Sequence, residues 1–495
     1  KCAQGIVMSL TAPVFLFLFL PVVLLLGLGL RGRFRNVVLI AGSLVFYLWD
    51  EKLFGVLLLA SIGINYAIGL GMGRVTDRRA ARLLLVLGAV VNLGLLVACK
   101  YANFIVANVN VLLGVASIPP VQLARVHLPL GISFFTFQGL SYLVDIYRGE
   151  AKPAGGPGQF ALYLAFFPKV IAGPIVKYKE IAGQLASRSV NRQDLADGIR
   201  RFIIGLGKKI IIANALAVPA DRIFALPTGL LTPATAWLGA VCYTLQIYYD
   251  FSGYSDMAIG LGRMFGFRLP ENFNYPYVSR SIREFWQRWH ISLSTWFRDY
   301  LYIPLGGNRS GTARTYVNLM IVFLLCGLWH GANWTVVVWG AFQGCFLILE
   351  RIRKRSPSPP LERGLGGEVF DHAYALLVII VGWVIFRATT LGGALGYLGA
   401  MAGIARGSAT APGAAFFISA ELLPLLAVAI LGAAPLLPGL AALRARAAAG
   451  FTGFIGRAVG TAAAMADLGV MGLILVYSTM LIAAGTYSPF IYAQF

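Results

Sequence analysis

Residues 315–349 read TYVNLMIVFLLCGLWHGANWTVVVWGAFQGCFLIL, 35 positions without a formal charge. As one helix they would run about 50 Å at 1.5 Å per residue, too long for a bilayer core of ~30 Å. As two full spans they are slightly short. The stretch is therefore predicted to break near its middle, at Gly327-Leu-Trp-His-Gly331, with His330 at membrane depth. The rest of the chain fits a lipid solvent. Of 495 residues 58% are hydrophobic and only 12% charged, against ~25% charged in soluble proteins. Mean hydropathy is +0.76. The predicted fold class is all-α, a polytopic integral membrane protein. A disordered chain and a disulfide scaffold are excluded. Cys2, Cys99, Cys242, Cys326 and Cys345 are odd in number and scattered. They show no CxxC or metal-ligand spacing and read as small packing residues.

Working outward, apolar runs alternate with basic loops. Ala12–Leu30 ends at Arg31, Arg33 and Arg35. Val37–Trp49 and Leu53–Met72 follow, then Arg74, Arg78, Arg79 and Arg82. Two spans between two basic loops put both loops inside and the N-terminus outside. Met8 reads as a plausible start, and residues 1–11 as an N-terminal extension. Further spans are read at Leu83–Cys99 and Leu128–Val144. The stretch 160–176, FALYLAFFPKVIAGPIV, is too short and too broken for a span; such backbone survives at membrane depth only against protein or water, so it reads as re-entrant. Residues 177–209, 268–314 and 351–371 read as cytoplasmic segments of one membrane-embedded domain covering 1–495. Spans at Ile210–Leu226 and Ala234–Tyr249 follow, the second passing through a polar break into Met257–Phe267. The net charge of +21 reads as loops retained inside, and nucleic acid is not needed to explain it.

Four histidines are present. His127 and His372 look interfacial. His330 is either a buried histidine hydrogen-bonded between helices or a general base, since a neutral imidazole takes a hydroxyl proton near neutral pH. Its bracketing glycines, Gly327 and Gly331, allow close approach. His290 lies in RSIREFWQRWHISLSTWFRDYLYIPLGG. There Ile282, Phe285, Trp289, Leu293, Trp296 and Tyr300 form a helical stripe, which predicts one interfacial helix with His290 on a face with Trp286, Ser294 and Phe297. The arginines around it, Arg283, Arg288 and Arg298 among them, either hold the loop inside or bind phosphate. Asp250 and Asp256 are six residues apart, which is not one helix face, and each either orients a histidine or caps a helix. No metal-binding set is visible.

Taken together and in order, LPLGISFFTFQGLSYLVDIYRG, FFPKVIAGPI, QIYYDFSGYSDMAIGLGRMFGF, NFNYPY, REFWQRWHISLSTWFRDYLYIPLGGNR, GLWHGANWTVVVWG and SPFIYAQF resemble the membrane-bound O-acyltransferase family. The likeness is greatest to its bacterial branch serving alginate O-acetylation, and more distant to the branch that D-alanylates teichoic acid. The resemblance implies about eleven transmembrane helices in a ring, with re-entrant and interfacial helices, around a thin partition. It places the family's buried histidine on His330 and its second, cytoplasm-side histidine on His290, with Asp250, Asn333 and Trp329 in supporting positions. The implied reaction moves an acetyl group from a cytoplasmic donor, acetyl-CoA or an acyl carrier, across the bacterial inner membrane. The arginine-rich segment is the nearest candidate to hold the phosphates of such a donor, with Arg283, Arg288 and Arg298 beside Trp286 and Ser294. The receiver is a periplasmic acetyltransferase or acceptor protein of a polysaccharide-modifying machinery. No tightly bound cofactor is implied.

Overall fold

The computed structural model describes residues 8–30, 32–309, 311–355, 365–404, 411–436, 439 and 453–485. The motif SPFIYAQF and residues 356–364 of the basic loop lie outside them. Among the described residues seven helical runs are long and apolar enough to cross a membrane, with shorter apolar helices beside them. The chain opens with α1 (Phe15–Gly29), α2 (Arg33–Glu51), α3 (Gly55–Arg74) and α4 (Arg78–Val115). Large apolar side chains such as Leu25, Val56, Leu83 and Leu112 stay exposed along them. In a membrane protein such an apolar surface meets lipid.

The predicted break in residues 315–349 is present. Helix α13 (Thr312–His330) ends at His330, and α14 (Trp334–Arg355) begins after a short extended turn. Gly327 is needed, though not to admit a ligand. A Cβ there would fall 2.3 Å from the Val336 carbonyl oxygen, and one at Gly340 2.3 Å from that of Phe323. The two glycines let the antiparallel backbones touch, as small residues do between membrane helices.

Between these ends, α5 (Ile132–Tyr147) is buried along nearly its whole length. Residues 160–176 fall in α6 (Pro157–Ala165), α7 (Phe167–Val170) and the coil after them, almost all buried. Neither helix is long enough to cross a ~30 Å core, in keeping with a re-entrant element. After α8 (Tyr178–Ala186) two sequence boundaries need correction. The helix read as starting at Ile210 begins at Arg192: α9 (Arg192–Phe224) runs 33 residues and carries Lys208 and Lys209 inside it. The polar break expected after Tyr249 does not exist, because α10 (Pro233–Met264) is continuous. Its acids are answered sideways. Asp250 pairs with Lys209, and Asp256 with Arg201 (2.9 Å) and Lys208 (2.7 Å), all three on α9. Asp256 thus holds two basic groups of α9 and Asp250 a third. Charges bonded to a neighbouring helix need not leave their own.

A third correction concerns residues 282–300. The apolar stripe is real, but the helix stops between α11 (Ile282–Arg288) and α12 (Ile291–Phe297), and His290 takes a left-handed conformation with φ 43°. The segment is not a surface-lying amphipathic helix either, since Ile282, Phe285, Trp286, Trp289 and Leu293 are all buried. The chain closes through α15 (Leu365–Arg387), α16 (Leu391–Met401), α17 (Leu422–Gly432) and α18 (Gly453–Ala483).

Candidate active site

The end of α13 sets the site. A helix leaves its last carbonyls unpaired, and here α4 answers them. A π-helical turn at Val97–Tyr101 turns two side chains toward α13. Lys100 donates to the Trp329 carbonyl (2.5 Å) and more weakly to that of His330 (3.5 Å), and the Tyr101 hydroxyl donates to that of Leu328 (2.8 Å). A cation at a helix C-terminus is also favoured by the macrodipole. Sequence reading ended the span at Cys99 and so missed Lys100. A lysine after a long apolar run looks like a membrane boundary until its partner carbonyls are known.

His330 is buried at 4% exposure. Its ring sits among aromatics: Trp329 at 4.9 Å between centroids, Trp339 at 5.3 Å and Phe386 at 5.4 Å. The His290 ring lies 6.4 Å away and 6.0 Å from Trp329. The two histidines, 40 positions apart in sequence, thus meet across one indole. His290 is wholly buried, with the edge of Phe251 at 4.7 Å. Its Nδ1 hydrogen-bonds Asn272 Oδ1 at 3.1 Å. Asn272 lies in the NFNYPY motif but carries no periodic or charge signal, so nothing in the sequence singles it out. Trp329 Nε1 is a buried donor with no hydrogen-bond partner among the described residues.

The other expected site residues divide. Asn333 bonds backbone groups. Its side chain accepts from the Thr335 N–H (3.2 Å) and donates to the Thr389 carbonyl (3.1 Å), so it caps the start of α14. Asp250 faces α9 and its lysine, while its neighbour Phe251 faces His290. Trp286 donates to Gln343 (3.2 Å) and packs on Phe323 and Trp339. The break after Arg288 removes the shared face of His290, Trp286 and Ser294; Ser294 is part-buried and reaches the Trp289 carbonyl at 3.5 Å.

Arg288 pairs with Glu284 (2.9 Å) and Arg298 with Asp299 (2.7 Å), whereas Arg283 is exposed. Burial opposes ionisation of Glu284, yet hydrogen bonds from the Arg280 N–H and from Arg288 hold its carboxyl below the usual range. At Asp299 burial is likewise outweighed, by hydrogen bonds from Arg298 and Lys177. Two of the three arginines expected on the donor side therefore already hold a carboxylate. Among the described residues no cluster of three or more His, Cys, Asp or Glu is placed to hold a metal ion.

Comparison with known proteins follows the same residues. A model of the membrane-bound O-acyltransferase family matches residues 129–362, the part that contains both histidines. The chain is 47% identical to a probable alginate O-acetylase, AlgI, of Azotobacter vinelandii, over 78% of this chain and 76% of that one. It is 37% identical to a peptidoglycan O-acetyltransferase of Helicobacter pylori, over 80% of each. It is 28% identical to a teichoic acid D-alanyltransferase of Bacillus subtilis, over 47% of this chain and 62% of that one.

Proposed function

Because this chain belongs to the membrane-bound O-acyltransferase family, we propose that the acyl group it transfers is acetyl, drawn from cytoplasmic acetyl-CoA and delivered across the bacterial inner membrane for O-acetylation of an exopolysaccharide such as alginate. The observation that carries this reading is the buried meeting of His330, Trp329 and His290, in a chain whose relatives include alginate O-acetylases. His330 is the general base. An acceptor hydroxyl, on a periplasmic acetyltransferase or carrier, gives its proton to the imidazole as its oxygen attacks the thioester carbonyl carbon. The C–S bond then breaks, and the departing thiolate takes the proton back. The buried Trp329 N–H is a donor for the oxygen that becomes negative in between, and in a water-poor site such a donor is worth more than in water. His290 lines the donor side. Arg283, Arg288 and Arg298 meet the nucleotide phosphates at the cytoplasmic surface, since burying those charges would cost far more than leaving them in water.

The test is acetyl transfer by purified protein with labelled acetyl-CoA and its acceptor supplied. His330→Ala should remain folded and lose ~10²-fold or more of the rate, the scale of general-base catalysis. A variant that still acetylates normally would remove His330 from the mechanism. A second reading has its own support in the peptidoglycan O-acetyltransferase and teichoic acid D-alanyltransferase relatives. It keeps the chemistry and changes the glycan, or replaces acetyl-CoA with an acyl carrier protein. Transfer from the carrier but not from acetyl-CoA would decide for the carrier-dependent form.

A further inference from the structure

The amide of Asn272 has only one orientation that its surroundings accept. Its Oδ1 lies 3.3 Å from the Ser292 N–H, an obligatory donor, and 2.8 Å from Ser292 Oγ. That hydroxyl accepts the Ile175 N–H at 2.9 Å and gives its own hydrogen to Asn272. On the other side Asn272 Nδ2 donates to Ser255 Oγ at 2.9 Å. Turning the amide over would set its NH2 against the Ser292 N–H. The atom 3.1 Å from His290 Nδ1 is therefore an acceptor, and a neutral His290 must carry its proton on Nδ1. Its Nε2 is then a bare lone pair. That atom is buried and has no partner among the described residues; the rings around it are Phe251, Trp329 and His330. The left-handed backbone at His290 is a strained conformation for a non-glycine residue, and it is held where α11 stops and α12 starts. The Asn272 backbone supports the same geometry, its carbonyl accepting the Ile291 N–H at 3.0 Å.

We propose that Asn272 is a positioning residue of the transfer: with Ser292 and Ser255 it fixes His290 as the Nδ1–H tautomer, so that Nε2 stands among the rings of Trp329 and His330 as a hydrogen-bond acceptor. This rests on the acyl-transfer reading above and deepens it. A neutral imidazole so held cannot donate to the thioester carbonyl. It holds a proton-bearing group instead, the acceptor hydroxyl before attack or the thiol after it. The carbonyl oxygen is left to the indole N–H of Trp329.

The full-length protein, labelled with ¹⁵N-histidine in lipid bilayers, tests this by solid-state NMR without any reaction. Only four histidines contribute signals, and His290→Gln identifies the one in question. The expected signal has Nδ1 protonated and Nε2 bare. Asn272→Leu should abolish that signature and lower the maximal rate of acetyl transfer by ~10- to 100-fold, within the range seen when general acid–base groups are misplaced. Asn272→Asp keeps the acceptor toward Nδ1–H and the Ser292 N–H. It should keep the tautomer, recover most of the rate and move the pH–rate profile upward, because a carboxylate makes the imidazole more basic. A wild-type signal with Nε2 protonated overturns the proposal whatever the activity. So does an Asn272→Leu protein that loses the tautomer and keeps its rate. Wild-type protein with the expected tautomer but no transfer from acetyl-CoA counts against the donor reading alone.

Discussion

Trp329 brings an indole N–H into the protein interior with no hydrogen-bond partner among the described residues, beside the rings of both histidines. A buried donor without a partner weighs against stability unless function uses it. Trp329→Phe therefore separates the two roles. It keeps an aromatic ring beside Phe134 and Phe137 and removes only the donor and part of the ring. It should leave the melting temperature close to wild type and lower kcat for acetyl transfer by ~10²-fold or more, the cost of losing one such donor. Unchanged kcat would mean that the reacting oxygen is held elsewhere. Residue type and spacing mark His330 as an ionisable group at membrane depth, with Trp329 beside it. They could not distinguish Asn333, which the fold uses as a helix cap, from Asn272, which the fold sets against His290. Both are asparagines in aromatic surroundings, and only the neighbouring element tells them apart.

At the scale of elements, α9 and α10 lie antiparallel with glycine against backbone. A Cβ at Gly205 would meet the Gly253 carbonyl oxygen at 2.6 Å, one at Gly253 that of Gly205 at 2.8 Å, and one at Gly260 that of Gly198 at 2.6 Å. This closeness lets Lys209 reach Asp250, and Arg201 and Lys208 reach Asp256, within a largely apolar layer. Gly253→Ala should overpack the contact and cost about 1–3 kcal/mol. Gly469→Ala, where nothing lies within 4 Å, is the matched control. Thermal unfolding of the two variants in detergent checks this, and equal melting temperatures would show that the helices can part without loss. In sequence alone residues 250–256 look like a polar break, since two acids lie where two apolar runs meet. The partner charges sit some 41 to 55 positions away in sequence, beyond any local pattern.

Over the whole molecule the excess positive charge has two consequences. The part of the basic segment that precedes α9 reads as cytoplasmic from its charge, and Ser189 is exposed there, between α8 and α9. Ser189→Cys in a background without the five native cysteines should resist an impermeant thiol reagent in intact spheroplasts and react once the membrane is opened. Labelling of intact spheroplasts would reverse the orientation. The second consequence concerns the donor. Arg283→Ala combined with Arg288→Ala should raise the KM for acetyl-CoA more than it lowers kcat, and added salt should weaken wild-type binding in the same direction, because exposed phosphate contacts are screened. Arg288 also holds Glu284. A loss of kcat with KM unchanged would therefore mark these arginines as structural.

The sequence by itself determined the solvent, the helical class, the break in residues 315–349, the buried short elements of residues 160–176 and the two histidines to examine. These follow from local chemistry: an apolar run long enough to cross a bilayer and a titratable group inside one are visible in a short window. The tertiary structure alone decided which polar groups answer one another. Lys100 closes the end of α13, Lys209 answers Asp250, and Asn272 sets the proton on His290. In a low-dielectric interior each buried polar group needs a partner, and here that partner comes from a distant segment. Its identity is fixed by how the helices pack and cannot be read from the residues on either side.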